Sequence, residues 1–275
     1  MNYVIYNPKS SNYKRTLEQI VKKIDRKKEL YKLVNFLNYK DKERDFLDSL
    51  AKEDVIYFIG GDGSLYYLIN KLRDYTLKNP IYLCKAGNGN DFSRNFKEKQ
   101  IYLNDKIVNL PKYYVDGEEN FFINGCGMGV DGLVCFDVNE AKKKNIKSSY
   151  FKTAINCFRK FKPYNLDITV DGKDYHFQNV WFFSCMNGCY QGGGMKFSPH
   201  SKMGDDILEL VVVHDVKFLP LLLLFPFIFI GKHLMFKNVV SLIKGKNFTL
   251  KTDQKTYLQA DGETRFPVCE VTIKR

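Results

Sequence analysis

Two short turns gather the residue types that hold phosphate. GGDGS at 60–64 sets Gly60, Gly61 and Gly63 around Asp62 and adds the hydroxyl of Ser64. One apolar run later, KAGNGNDFSRNF at 85–96 brings Gly87, Asn88, Gly89, Asn90 and Asp91 together. Glycine lets backbone N–H groups approach an anion with no Cβ in the way, and a helix start adds partial positive charge. Two such turns on neighbouring strand ends would face one ligand together. The first stretch also reads as an ordinary turn with Ser64 as helix N-cap. Neither spacing is GxGxxG or GxxxxGK[ST], which excludes Rossmann dinucleotide and P-loop sites.

The elements around these turns alternate. YVIY, YKLVNFL, VIYFIG and PIYLCKAG read as strands. Between them Leu17, Ile20, Val21 and Ile24, then Leu65, Leu68, Ile69 and Leu72, fall at helical spacing, and 42–52 reads as a short helix. This order predicts parallel βαβ units. After about Pro111 the texture changes: YYVDGEENFFING and LDITVDGKDYHF carry Asp-Gly between strand-like runs, the hairpin signal. DILELVVV, NFTLKT, TYLQA and CEVTIK are also strand-like, with one helical stretch near 150–161. The expectation is an α/β chain of two parts, parallel βαβ units in the first and mostly antiparallel β in the second. A cleft is expected where the halves pack.

Composition narrows the partners. A net charge of +12 over 275 residues favours polyanions, but lysine supplies most of it, and arginine is the usual reader of bases, so no nucleic-acid partner is expected. Seven cysteines without a CxxC pair read as buried, reduced thiols in a cytoplasmic protein, not as a zinc site. The start MNYVIYNPKS is not a secretory signal. FLPLLLLFPFIFI at 218–230 has no charge but, broken by Pro220 and Pro226, is too short for a span of about 20 residues. It reads as a buried helix or a surface-inserting element. Trp181 reads as core, the four histidines lack ligand spacing, and KKKNIKS at 142–148 reads as a solvated basic loop.

The motifs taken together resemble the diacylglycerol kinase catalytic-domain family, which includes soluble bacterial lipid kinases and the sphingosine and ceramide kinases. GGDGS and GNGNDFSR carry the resemblance, with YNPKS at 6–10, FINGCGMGVD at 122–131, NGCYQGGGMKFSPHSKMGDDILEL at 187–210 and QADGE at 259–263 in family order. It implies an NAD-kinase/diacylglycerol-kinase-like fold of two domains: 1–112, a three-layer α/β nucleotide-binding domain, and 113–275, a mostly antiparallel β-sandwich that takes the lipid substrate and whose last strand returns to the first domain. ATP would lie on the first domain, phosphates against 61–64, with Asn7 and the 87–91 turn beside them. Asp62 and Asp91 would help to hold Mg²⁺, a cation that prefers carboxylate and phosphate oxygens. Asp261 would accept the proton of the substrate hydroxyl, with Glu263 as a second carboxylate; Asp261-Gly262 also reads as a plain hairpin turn. The loop SKMGDDIL resembles a structural metal loop, its ligands the carbonyls of Lys202 and Ile207 and the carboxylate of Asp205.

Some positions depart from the family pattern. Ser64 and Asn88 stand where threonine is usual, Asp206 stands for a glycine, and Asn109 stands where some bacterial members have a magnesium-network aspartate. The resemblance implies a cytoplasmic enzyme of phospholipid biosynthesis, peripheral at the inner membrane face, phosphorylating diacylglycerol or a related lipid alcohol with ATP and Mg²⁺. A homodimer is left open. Two rivals stand beside it: a soluble-metabolite kinase, since NAD kinases and 6-phosphofructokinases share GGDG, and a non-catalytic nucleotide- or lipid-binding regulator.

Overall fold

β-Branched and aromatic runs build the first sheet of the computed structural model, which describes residues 1–144, 146 and 150–275. The chain divides into two units, Met1–Asn109 and Leu110–Arg275.

In the first unit β1 (Asn2–Tyr6), α1 (Tyr13–Arg26), β2 (Tyr31–Asn35), α2 (Glu43–Asp48), β3 (Val55–Gly60), α3 (Asp62–Lys71), β4 (Ile81–Lys85), α4 (Asp91–Arg94) and β5 (Gln100–Tyr102) follow one another. The sheet order is β2-β1-β3-β4-β5; the first four strands are parallel and β5 is antiparallel to β4. Alternation along the strands sorts their side chains between two faces. Val4, Ile59 and Cys84 meet Ile20 and Ile24 of α1 on one face. Ile5, Ile56, Phe58 and Ile81 line the other face with Leu47 of α2, Leu68 of α3 and Leu72 just past it. The unit is therefore three layers, and its strands deliver both glycine turns from the C-terminal ends of neighbours β3 and β4.

The second unit comprises β6 (Lys112–Val115), β7 (Glu118–Phe121), β8 (Gly125–Gly129), α5 (Val130–Lys143), α6 (Tyr150–Lys160), β9 (Tyr164–Val170), β10 (Lys173–Val180), β11 (Phe182–Met186), β12 (Leu208–Val213), α7 (Phe218–Phe229), β13 (Val240–Gly245), β14 (Asn247–Ala260) and β15 (Glu263–Lys274). Every strand pairing in it is antiparallel. The long strand β14 organises it. One edge pairs with β15; the other pairs with β9 at 248–252 and with β8 at 258–260. Register shifts near Thr256 bend the strand between those stretches, and the ladder forks into the two layers of a β-sandwich.

Three expectations need correction. The last strand does not return to the first unit, because β15 pairs with β14 and β6. Lys142 and Lys143 end helix α5 and are not loop residues; Asn145, Lys147 and Ser148 of that stretch lie outside the described residues. NFTLKT and TYLQA are parts of one strand, β14. Trp181 is buried, with its indole N–H donating to the Val216 carbonyl, and all seven cysteines are free thiols. No helix among the described residues is long and apolar enough to cross a membrane.

Candidate active site

GGDGS ends β3 at Gly60 and opens α3 at Asp62, with Gly61 in extended conformation as the N-cap. Ser64 is thus inside the first turn and does not cap the helix. Glycine at the cap leaves no side chain to accept from the first-turn N–H groups, which have no acceptor within the helix itself. The hydroxyl of Ser64 accepts from Asn7 Nδ2 at 2.8 Å, which ties the end of β1 to this turn.

The second turn lies directly against the first. A Cβ on Gly61 would sit 2.8 Å from Cα of Gly87, and one on Gly87 would meet Gly61 Cα at the same distance. Backbone cannot give way as a flexible side chain can, so both positions require glycine. Over Gly63, by contrast, a Cβ would meet nothing within 4 Å. The result is two close backbone turns with open space above the start of α3.

The carboxylate of Asp62 fastens the turns. Its Oδ2 accepts from the Asp91 amide and its Oδ1 from the Phe92 amide, each at 3.0 Å. Asn90, the N-cap of α4, makes no capping bond to those amides, so Asp62 caps α4 from another helix. Asn90 adopts a left-handed φ of 51° and closes its own turn, accepting from Gly87 N and donating to Gly87 O. Arg94 Nε donates to Gly89 O at 2.9 Å, and Asn88 is exposed. Asp91 is buried, with Arg94 Nε 3.8 Å from its Oδ1.

The fit to Mg²⁺ follows from these donors. Among the described residues no three or more His, Cys, Asp or Glu side chains converge as a metal cage. Each Asp62 oxygen keeps a second lone pair beside its amide bond. The donor set suits a hydrated ion carried in on phosphate oxygens, the usual manner for Mg²⁺.

In the second unit Asp261 and Gly262, both at positive φ, form the two-residue turn of the β14–β15 hairpin. Asp261 Oδ2 accepts from the Ile123 amide at 2.5 Å and Oδ1 from the Asn124 amide at 2.8 Å. The segment carrying those amides is itself held: Asn187 Nδ2 donates to Ile123 O at 2.7 Å, and its amide donates to Asn124 O at 2.8 Å. The hairpin reading of Asp-Gly and a poised carboxylate are therefore compatible. Glu263 is exposed at the start of β15. The loop with Lys202, Asp205 and Ile207 is also exposed; the Lys202 carbonyl accepts from Asp205 N at 3.1 Å, and Gly204 has a φ of 90°.

Behind the Asp261 turn lies a pair that the sequence did not single out. Gln259 accepts from Gly262 N at 3.3 Å and donates to Asp131 Oδ2 at 3.1 Å. A Cβ on Gly132 would meet the Tyr257 carbonyl at 2.4 Å, so glycine there lets α5 approach β14 closely enough for the Asp131 contact. The residue keeps some surface but its Oδ1 is shielded from solvent. Burial pushes the Asp131 carboxyl up to about 7, against the pull of Gln259 and nearby backbone N–H groups.

That shift sets a pH dependence. Below the ordinary carboxyl value both folded and unfolded chains are protonated at Asp131, and its contribution is fully favourable. As pH rises from about 4 through about 7 the unfolded chain ionises first, so the folded state loses stability. Discounted for the partial exposure, the loss is on the order of 2 kcal/mol. Asp131→Asn cannot ionise and should gain on wild type by that amount between pH 4 and pH 8 in urea unfolding; parallel pH curves would refute the assignment.

Comparison with known proteins follows the same division. Residues 2–112 match the diacylglycerol kinase catalytic domain, and residues 125–272 match the YegS C-terminal NAD kinase beta sandwich-like domain. The Bacillus subtilis (strain 168) protein named "Putative lipid kinase YtlR" is 29% identical over 225 residues, covering 74% of this chain and 72% of its own. The diacylglycerol kinase of the same organism is 22% identical over 274 residues, 94% of this chain and 88% of its own. A diacylglycerol kinase crystal structure from Bacillus anthracis str. Sterne superposes with a TM-score of 0.65 at 18% identity, over 100% of this chain and 93% of that one. With a family model on each part, the second alone spanning more than half of the sequence, the chain belongs to the diacylglycerol kinase catalytic-domain family.

Proposed function

We propose that the protein is a lipid kinase that transfers the γ-phosphoryl group of ATP to the hydroxyl of diacylglycerol or a related lipid alcohol, at the cytoplasmic face of a membrane. The observation that carries this reading is the backbone contact of Gly61 with Gly87, fastened by Asp62 under an open helix start. Phosphate there would meet the N–H groups of α3 and the Asn7–Ser64 pair. Mg²⁺, when bound, would neutralise charge on the phosphates, and Asp62 and Asp91 are the residues that would hold it, directly or through water. Asp261, anchored by the amides of Ile123 and Asn124, is the carboxylate that would accept the proton of the attacking hydroxyl.

The direct test incubates the purified protein with Mg²⁺, labelled ATP and a broad lipid extract. Label in a phospholipid is the expected result; label in no lipid refutes the reading. NAD or fructose 6-phosphate in place of lipid tests the soluble-metabolite alternative. A second reading, a regulator that binds nucleotide without turnover, draws on both Asp62 oxygens being engaged by backbone and on exposed Asn109 at the family's aspartate position. ATP binding without transfer to any acceptor would favour it.

Gly61→Ala tests the carrying observation. Its new methyl would be forced against Gly87 Cα, and the turns must part, at a cost of about 1–3 kcal/mol of stability. ATP affinity, measured calorimetrically, should fall at least about tenfold because two N–H-bearing turns no longer converge. Unchanged affinity would place the nucleotide elsewhere.

A further inference from the structure

A helix that is apolar all round is normally buried, yet α7 lies on the surface. None of its twelve residues, FLPLLLLFPFIF, is polar. Leu221 and Ile228 face inward and pack with Phe158, Phe182 and Val240. On the opposite side Leu219 and Leu223 are 70% and 75% exposed, and Ile230, just past the helix, is 60% exposed. Spaced at i, i+4 and i+11, these three share one outward stripe. Phe227 stacks edge-on against Phe236 with ring centroids 5.2 Å apart, which extends the patch to Phe236 and the exposed Met235 beyond the helix. Exposed apolar surface this continuous marks an interaction site.

Charge selects the partner. Lys217 precedes the helix, Lys232 and Lys237 follow it, and all three are exposed. No Asp or Glu occurs at 216–252. An apolar stripe with exposed lysines at both ends complements a surface that is anionic at its face and apolar beneath. Twelve residues rise only about 18 Å as a helix, too short to cross a bilayer.

We propose that α7 is a membrane-docking element: Leu219, Leu223 and Ile230, with Met235 and Phe236, enter the acyl region of an anionic bilayer while Lys217, Lys232 and Lys237 meet the headgroups. This names the surface partner of the lipid-kinase reading but stands on α7 and its flanks alone. The test needs no nucleotide, so failure of kinase activity and failure of docking are separate results.

The full chain is centrifuged with phosphatidylcholine vesicles with and without about 30% phosphatidylglycerol. Wild type should bind the anionic vesicles and lose binding as salt rises. Leu219→Ser with Leu223→Ser, both at exposed positions, should reduce binding at least about tenfold with unchanged far-UV circular dichroism. Lys232→Gln with Lys237→Gln should weaken binding to anionic vesicles and leave the weaker neutral binding unaltered. Absence of wild-type binding, or binding unaffected by the serine pair, overturns the proposal. So does a wild-type dimer that the serine pair converts to monomer, which would assign the stripe to a second copy of the chain.

Discussion

Asp261→Asn should lower phosphoryl transfer to lipid by about 10²–10⁴-fold, the range for loss of a general base. The variant keeps one oxygen to accept from a backbone amide, but its –NH₂ group opposes the second of the Ile123 and Asn124 N–H groups. Some stability is lost as well, about 1–3 kcal/mol for the amide left unpaired. Activity loss alone would therefore not distinguish chemistry from folding. The molecule contains its own control. Asp171, in the Asp171-Gly172 turn of the β9–β10 hairpin, accepts from the amides of Lys246 and Asn247 at 2.9 Å each. Those bonds hold its carboxyl below the usual range. Asp171→Asn thus perturbs the same kind of clamp, on an exposed residue, and should leave turnover per folded molecule unchanged. Turnover is measured with saturating ATP and lipid and corrected for folded fraction by denaturant titration. Equal, small losses in both variants would reduce Asp261 to a structural turn residue.

The contrast between these two turns shows where sequence reasoning stops. Strands and helices of the first unit were legible because Leu17, Ile20, Val21 and Ile24, or the alternation of YVIY, impose their periods locally. The hairpins at Asp116, Asp171 and Asp261 were equally local, since Asp-Gly favours the left-handed pair of φ values seen at each. Helix α5 was not legible: its buried Val130, Gly132 and Val134 alternate with period two and continue the strand-like FINGCGMG. The single strand β14 was hidden by the polar TDQK, where its register shifts. In the site, motifs indicated which turns carry carboxylates but not what those carboxylates touch. Asp62 meets amides 29 and 30 residues away, Asp261 meets amides 138 and 137 residues away, and Gln259 meets a carboxylate 128 residues away. Such pairings are products of topology, and no local spacing encodes them. Asn187, which holds the segment facing Asp261, was missed for the same reason, although its place in NGCYQGGG was a clue.

The engagement of Asp62 leads to the second large effect. Asp62→Ala removes the carboxylate that accepts from the amides of Asp91 and Phe92, at the start of a helix whose own N-cap makes no side-chain bond to them. Asp91 and Phe92 are buried, so water replaces the lost carboxylate poorly. Leaving each buried donor unpaired costs about 1–3 kcal/mol, and bonds to an ionised acceptor lie at the upper end, giving a total of about 3–5 kcal/mol. Asp62→Asn retains one acceptor and should lose roughly half as much. A pure metal or phosphate ligand would behave otherwise. Its removal would relieve charge and leave stability unchanged or raised, while lowering nucleotide affinity alone. The two roles therefore separate in one pair of measurements: urea unfolding without nucleotide, and calorimetric titration of ATP with and without Mg²⁺. We expect Asp62→Ala to shift the unfolding midpoint strongly downward even without nucleotide, because the carboxylate holds the 87–91 turn against Gly61 before any ligand arrives. Affinity for ATP should then fall with or without Mg²⁺, since the cradle itself has opened; a loss seen only with Mg²⁺ present would instead make Asp62 chiefly a metal ligand.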